Sequence, residues 1–216
     1  MRFFAYAQNE KKEERSVLSR SAFYGKLNKK KKFTKGAKNM KYWKLLGLFS
    51  IGVFIAGILV SNMFNPWFNI SIHTFSKLGK PGFATYPWIF SCSLIIGGIL
   101  MSLYGFFMTL KSYSKSGTIG GSYVLLSGIF MILTGLFPDG TKPHDFIALS
   151  TFLLFYIGEM IYGFGSSKAV NFSTTLVMIV ALIALLFNPF PSLGYLEIFG
   201  VSLVVVDLII IMFESI

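Results

Sequence analysis

The chain has 216 residues, 54% of them hydrophobic and only 13% charged, where an ordinary soluble domain carries about 25%. Its 20 basic and 9 acidic residues give a formal charge of +11, yet residues 45–216 hold only six Lys, six acids and no Arg. These figures exclude a soluble globular protein and describe a membrane domain (45–216) behind a basic tail (1–44).

The tail comes first. Residues 1–39 contain twelve bases and three acids, and the densest run, NKKKKFTKGAKNMK, lies beside the first apolar segment. Such a run is drawn to anionic lipid head groups at about 1 kcal/mol per basic residue. Lys29, Lys30, Lys31 and Lys32 are therefore the expected lipid contacts, and the tail reads as disordered and cytoplasmic. No folded nucleic-acid motif accompanies the charges, so nucleic acid is not an expected partner. No apolar stretch precedes Leu45, so the tail is not a signal peptide. Met40, followed by KYWKLLGLFSIGVF, also has the look of a membrane-protein start, and residues 1–39 as an upstream misassigned start remain an open alternative.

Six apolar runs follow, at 45–64, 86–110, 119–137, 146–164, 170–187 and 193–213. Each approaches the ~20 residues needed to cross roughly 30 Å of hydrocarbon. Backbone groups in lipid must be satisfied within their own segment, and none of the runs alternates as a barrel strand would, so each is expected to be a helix. The fold expected is all-α, a six-helix transmembrane bundle. Counting bases near the span ends places 17 on the side of the N-terminus and three (Lys77, Lys80, Lys142) on the other. Both termini are thus expected in the cytoplasm of a multi-pass plasma-membrane protein. Trp43 is expected at the inner interface, and Trp67 and Trp88 at the outer one. Cys92, the only cysteine, excludes a disulfide and is expected to be a buried packing residue. Ser93 with Gly97, and Gly128 with Gly135, put small residues on shared faces where helices approach closely.

The outward-running spans end alike, in MFNPW (63–67), LFPDG (136–140) and LFNPF (186–190), because Pro cannot continue a helix. A threefold duplication and coincidence both remain open.

Chemistry-capable residues are few. His73, Asp139, His144, Asp145 and Glu197 fall at the three outer connections, an arrangement that can bind a metal, relay protons or hold a polar head group. Local explanations compete: Asp145 suits the start of the fourth helix, Asp139 a Pro-Asp-Gly turn, and Glu197 reach to interfacial water. Glu159 and Asp207 lie inside spans four and six, where a charge costs at least ~2.5–3.5 kcal/mol on insertion scales, so they are candidate functional acids facing the bundle interior. The histidines lack metal-pair spacing, so neither a metal nor a cofactor is expected.

Two segments carry a resemblance. HTFSKLGKPGFATYPWIFSCSLIIGGIL (73–100) and GIFMILTGLFPDGTKPHDF (128–146) resemble the prokaryotic membrane family known as domain of unknown function 998. The shared residues are His73, Thr74, Ser76, Leu78 and Gly79 in one loop, and Gly135, Phe137, Pro138 and His144 in the other. The likeness covers about residues 43–165, and the last two spans match only in hydropathy. Lys77 stands where members often have an acid, and Ala148 where some have a second His. The resemblance implies a six-helix fold in a cell envelope, and no activity. The expectation is an outward pocket of His73, Ser76, Asp139, His144 and Asp145. Its leading role is non-enzymatic binding or movement of a small solute, ion or lipid head group. An intramembrane lipid hydrolase, metal-dependent or not, and a membrane scaffold are the alternatives.

Overall fold

The structure, a computed structural model, describes residues 42–213. The lysines at 29–32 and Met40 lie outside the described residues. Six α-helices and one 3-10 helix make up this part, with no strand among the described residues: α1 (Leu45–Met63), the 3-10 helix (Phe75–Gly79), α2 (Pro87–Lys111), α3 (Lys115–Leu136), α4 (His144–Gly163), α5 (Lys168–Phe187) and α6 (Leu193–Phe213). All six α-helices are long and apolar enough to cross a membrane, and the protein is a multi-pass membrane protein.

Helix boundaries follow local chemistry. α3 begins four residues ahead of its apolar run because the Ser114 hydroxyl accepts a hydrogen bond from Gly117 N–H at 2.9 Å, and Ser167 caps α5 in the same way through Val170. α4 starts at His144 just after Pro143, with Asp145 in its first turn, where a carboxylate suits the positive end of the helix dipole. The three proline-marked ends stop their helices as expected, but they are not equivalent. Asn65 is fully buried: it donates to Ser61 O and accepts from Trp67 Nε1 and Thr85 N–H. Asn188 instead takes a left-handed conformation at φ 37° to cap α5.

Small residues bring helices together. A Cβ at Gly57 would collide with Ser93, one at Gly98 with the Gly128 carbonyl, one at Gly105 with Leu125 N, and one at Gly120 with the Gly158 carbonyl. Ser50 also donates to Gly97 O at 2.7 Å. Ser93, Gly97, Gly128 and Gly135 all sit at such contacts. Two expectations are corrected. Cys92 is exposed on the bundle surface, because it lies opposite the packed Ser93–Gly97 face of α2. Trp43 is only 3% exposed and stacks on Tyr104 at 5.7 Å, so it is a core residue and no interfacial belt residue, whereas Trp88 is exposed.

The three connections α1–α2, α3–α4 and α5–α6 meet on one face of the bundle, called here the loop face. Lys77 pairs with Asp139, Ser192 donates to Ile70 O, and the Phe75 N–H donates to the Glu197 carboxylate. At the opposite, terminal face, Lys44 donates to Ile211 O at 2.8 Å and joins the start of α1 to the end of α6. Leu78 of the 3-10 helix, fully buried, closes the core under the loop face among Phe54, Phe90 and Val201.

Candidate functional site

A cavity of about 450 Å³ opens between α4, α5 and α6. That volume lies within the roughly 300–1,000 Å³ of small-molecule sites. Its chemistry is graded along its length. At the loop face it is bordered by Thr74, Ser76, Asp139, His144, Asp145 and Glu197. Below these the walls are aliphatic and aromatic: Leu149, Phe152 and Leu153 of α4, Met178 and Leu182 of α5, and Leu203 of α6. Tyr156 lies at the deep end, its hydroxyl donating to Gly200 O at 2.6 Å. Twelve residues separate His144 from Tyr156, a rise of about 18 Å.

Lys77 organises the polar rim. Its ammonium donates to Asp139 at 2.8 Å, and Lys80 stands 3.6 Å from the same oxygen. The pair ties the loop after α1 to the turn after α3, and Lys77 stands where the family resemblance leads one to expect an acid. The hydrogen bond to Asp139 raises the Lys77 pKa against a smaller opposing effect of burial. Burial pushes the Asp139 carboxyl up, but the hydrogen bond and charge of Lys77, with the charges of Lys80 and His144, hold it below the usual carboxylate range. Gly140 at φ 92° completes the Pro-Asp-Gly turn that aims Asp139 at Lys77.

His144 is buried, and its Nδ1 lies 2.7 Å from the Phe137 carbonyl. A carbonyl only accepts, so this contact places a proton on Nδ1, and Nε2 is the ring nitrogen that can serve as acceptor or metal ligand whenever the ring is neutral. One ligand atom from each of Asp139, His144 and Asp145 falls within 4.8 Å of the others. A divalent cation could be held there only if Asp139 shared its charge between the ion and Lys77.

Of the five pocket residues expected from sequence, Ser76, Asp139, His144 and Asp145 border this cavity, and His73 does not. The His73 ring lies among Trp67, Phe68 and Phe83, with Nδ1 accepting the Asn69 N–H at 3.2 Å. Glu197, reached only as a member of the outer cluster, is more than a water-facing acid, since it supplies the acceptor for the first N–H of the 3-10 helix. Thr74 and Tyr156 are additions that sequence reasoning missed. The Thr-x-Ser pattern was the available signal for Thr74, and nothing marked Tyr156 among the other tyrosines.

The intramembrane acids lie deeper, towards the terminal face. Glu159 and Asp207 are both fully buried. Tyr104 is fully buried and lies within electrostatic range of Glu159, Tyr162 and Asp207. Neither oxygen of Asp207 has a hydrogen-bond partner among the described residues.

Together these features define a helical multi-pass membrane protein with an amphipathic, bundle-embedded cavity. The chain belongs to the family described as protein of unknown function (DUF998), whose model matches residues 48–214. The match reaches α5 and α6, beyond the part in which the sequence motifs lie. No curated protein and no solved structure matches the chain.

Proposed function

We propose that this protein binds a single-chain amphiphile in the α4–α5–α6 cavity, with the polar head at the loop face and the hydrocarbon chain between the helices. The carrying observation is the gradient along one continuous cavity, from carboxylates and hydroxyls at the rim to Leu, Phe and Met below. A small hydrophilic solute would leave the aliphatic walls without a partner, and a wholly apolar one would strand the rim. The 17-to-three distribution of bases supports a loop face turned outward in the plasma membrane, with both termini in the cytoplasm. On the same reading the tail lysines 29–32 lie against anionic lipid on the inner leaflet.

Asp145 and Glu197 supply acceptors at the rim, while Asp139 is largely neutralised by Lys77. The favoured head group is therefore one that donates hydrogen bonds, an ammonium above all. Purified protein is expected to bind dodecylamine about tenfold more tightly than dodecanoate, a difference of about 1.4 kcal/mol. Asp145→Asn combined with Glu197→Gln is expected to abolish the preference. Equal or absent binding of both would reject this reading.

A second reading, a metal-dependent lipid hydrolase, is favoured by the proximity of Asp139, His144 and Asp145. In it the metal would activate water beside the head group. Stoichiometric zinc in purified protein, lost in His144→Ala, would select it.

A further inference from the structure

A second, narrower cavity of about 80 Å³ follows the bundle axis. Ser76 and Glu197 border it near the loop face, and Met101, Phe155 and Val204 border its deep end. One water needs about 10–15 Å³ of such space and two to four polar partners, so the volume suffices for a few waters where hydroxyls and the Glu197 carboxyl line an otherwise apolar wall. Hydroxyl groups mark the way: Ser127 donates to Thr151 O at 2.8 Å, and the Thr134 and Thr151 hydroxyls are 3.4 Å apart. All three residues border the cavity.

The acids lie one turn beyond the residues that close the deep end. Tyr104, Glu159 and Asp207 follow Met101, Phe155 and Val204 by three, four and three residues, so each lies one helical turn further along the same face. Asp207 is buried without a hydrogen-bond partner among the described residues. Tyr104 of α2 and Tyr156 of α4 are within electrostatic range of it, as Glu159 and Tyr162 of α4 are of Tyr104. From α1, Lys44 donates to the Ile211 carbonyl, one turn beyond Asp207. A lone carboxylate at such a place is costly, and it neutralises most simply by taking a proton. A metal cation would need several further oxygen ligands.

We propose that the bundle axis is a proton path, with Glu197 at its loop-face entrance, Asp207 as its inner binding site, and Tyr104 and Glu159 leading towards the terminal face. In one passage a water in the crevice gives its proton to the Asp207 carboxylate and regains one from Glu197. Release passes the Asp207 proton to the Glu159 carboxylate, with the Tyr104 hydroxyl able to accept one proton as it donates another. This path does not depend on the amphiphile reading.

Infrared spectroscopy of the purified full chain tests it without any activity assay. The expected spectrum contains the carbonyl stretch of a protonated carboxylic acid that disappears in Asp207→Asn. Should that variant not fold, Asp207→Glu, which displaces the same band, assigns it. On transfer to D₂O the band is expected to shift within the mixing time. Ala148→Leu, which fills the upper crevice, and Glu197→Gln, which removes the entrance acid, are expected to slow that shift about tenfold. A spectrum without an Asp207 band, or exchange equally fast in both variants, would overturn the proposal.

Discussion

The two sides of the bundle are built on opposite rules. Across α2, α3 and α4, backbone meets backbone: Gly98 opposes Gly128, Gly105 opposes Gly121 and Leu125, and Gly120 opposes Gly158. Between α4, α5 and α6, beyond the close contact of Gly163 with Thr174 at the terminal face, the facing residues are mainly Leu, Phe and Met, and the helices enclose the 450 Å³ cavity. Even Gly200, the α6 glycine at that cavity, would meet only side-chain atoms if given a Cβ. Lipid provides no hydrophobic force between helices, so close approach depends on small residues. Where they are present the bundle is a scaffold, and where bulky residues replace them room for a ligand remains.

The largest expected effect breaks the scaffold side. A Cβ at Gly105 would lie 2.2 Å from Leu125 N, and 2.8 Å from the Gly121 carbonyl, which are backbone atoms that cannot rotate away. Gly105→Leu is expected to cost more than the ~1–3 kcal/mol of ordinary overpacking and to abolish the monodisperse peak in size-exclusion chromatography. Gly52→Leu has nothing within 4 Å of its Cβ and should leave that peak intact. Equal behaviour of the two would refute the contrast.

A smaller effect is expected on the cavity side, where Ala181→Phe adds bulk into open space. Melting temperature should hold, while dodecylamine affinity falls about tenfold, about 1.4 kcal/mol. Loss of the fold would mean that this side is packed as tightly as the other.

The smallest effect concerns the rim, where Lys77 and Asp139 are 32% and 16% exposed and solvent screens their attraction. Asp139→Asn should therefore cost no more than ~1 kcal/mol. Because the Asp139 pKa is lowered, its contribution is present above about pH 3.9 and is lost as pH falls through the folded value. Because the Lys77 pKa is raised, its contribution is present below about pH 10.4 and is lost as pH rises through the folded value. The melting-temperature difference between wild type and Asp139→Asn should thus be flat near neutrality and vanish at both extremes. A difference that survived at the acid end would trace the cost to turn geometry.

Spans were legible because a membrane imposes one length and one polarity on every crossing. Their starts were less so: α3 and α5 reach back to serine caps that hydropathy ignores. Ser76, Asp139, His144 and Asp145 could be grouped from topology alone, since three connections share one face. His73 could not be placed, because the aromatic cage of Trp67, Phe68 and Phe83 leaves no periodic trace. The Lys77–Asp139 pair and the Tyr156–Gly200 bond were equally hidden, since they join residues 62 and 44 positions apart. Trp43 misled for a related reason. A tryptophan at a span end usually sits in the interface, and only the stacking partner on α2 reveals that it has turned inward.

The bond between Phe75 and Glu197 sets an order of assembly. The acceptor that completes the 3-10 helix is 122 residues further along the chain, and Ser192, which satisfies Ile70, is equally distant. At about 5–20 residues per second, the ribosome supplies those partners roughly 6–24 s after the loop has emerged. Lys44 waits longer still for Ile211. α6 and the turn before it therefore close both faces of the bundle at once, and a chain stopped before them leaves the Phe75 N–H and the Ile70 carbonyl without these partners.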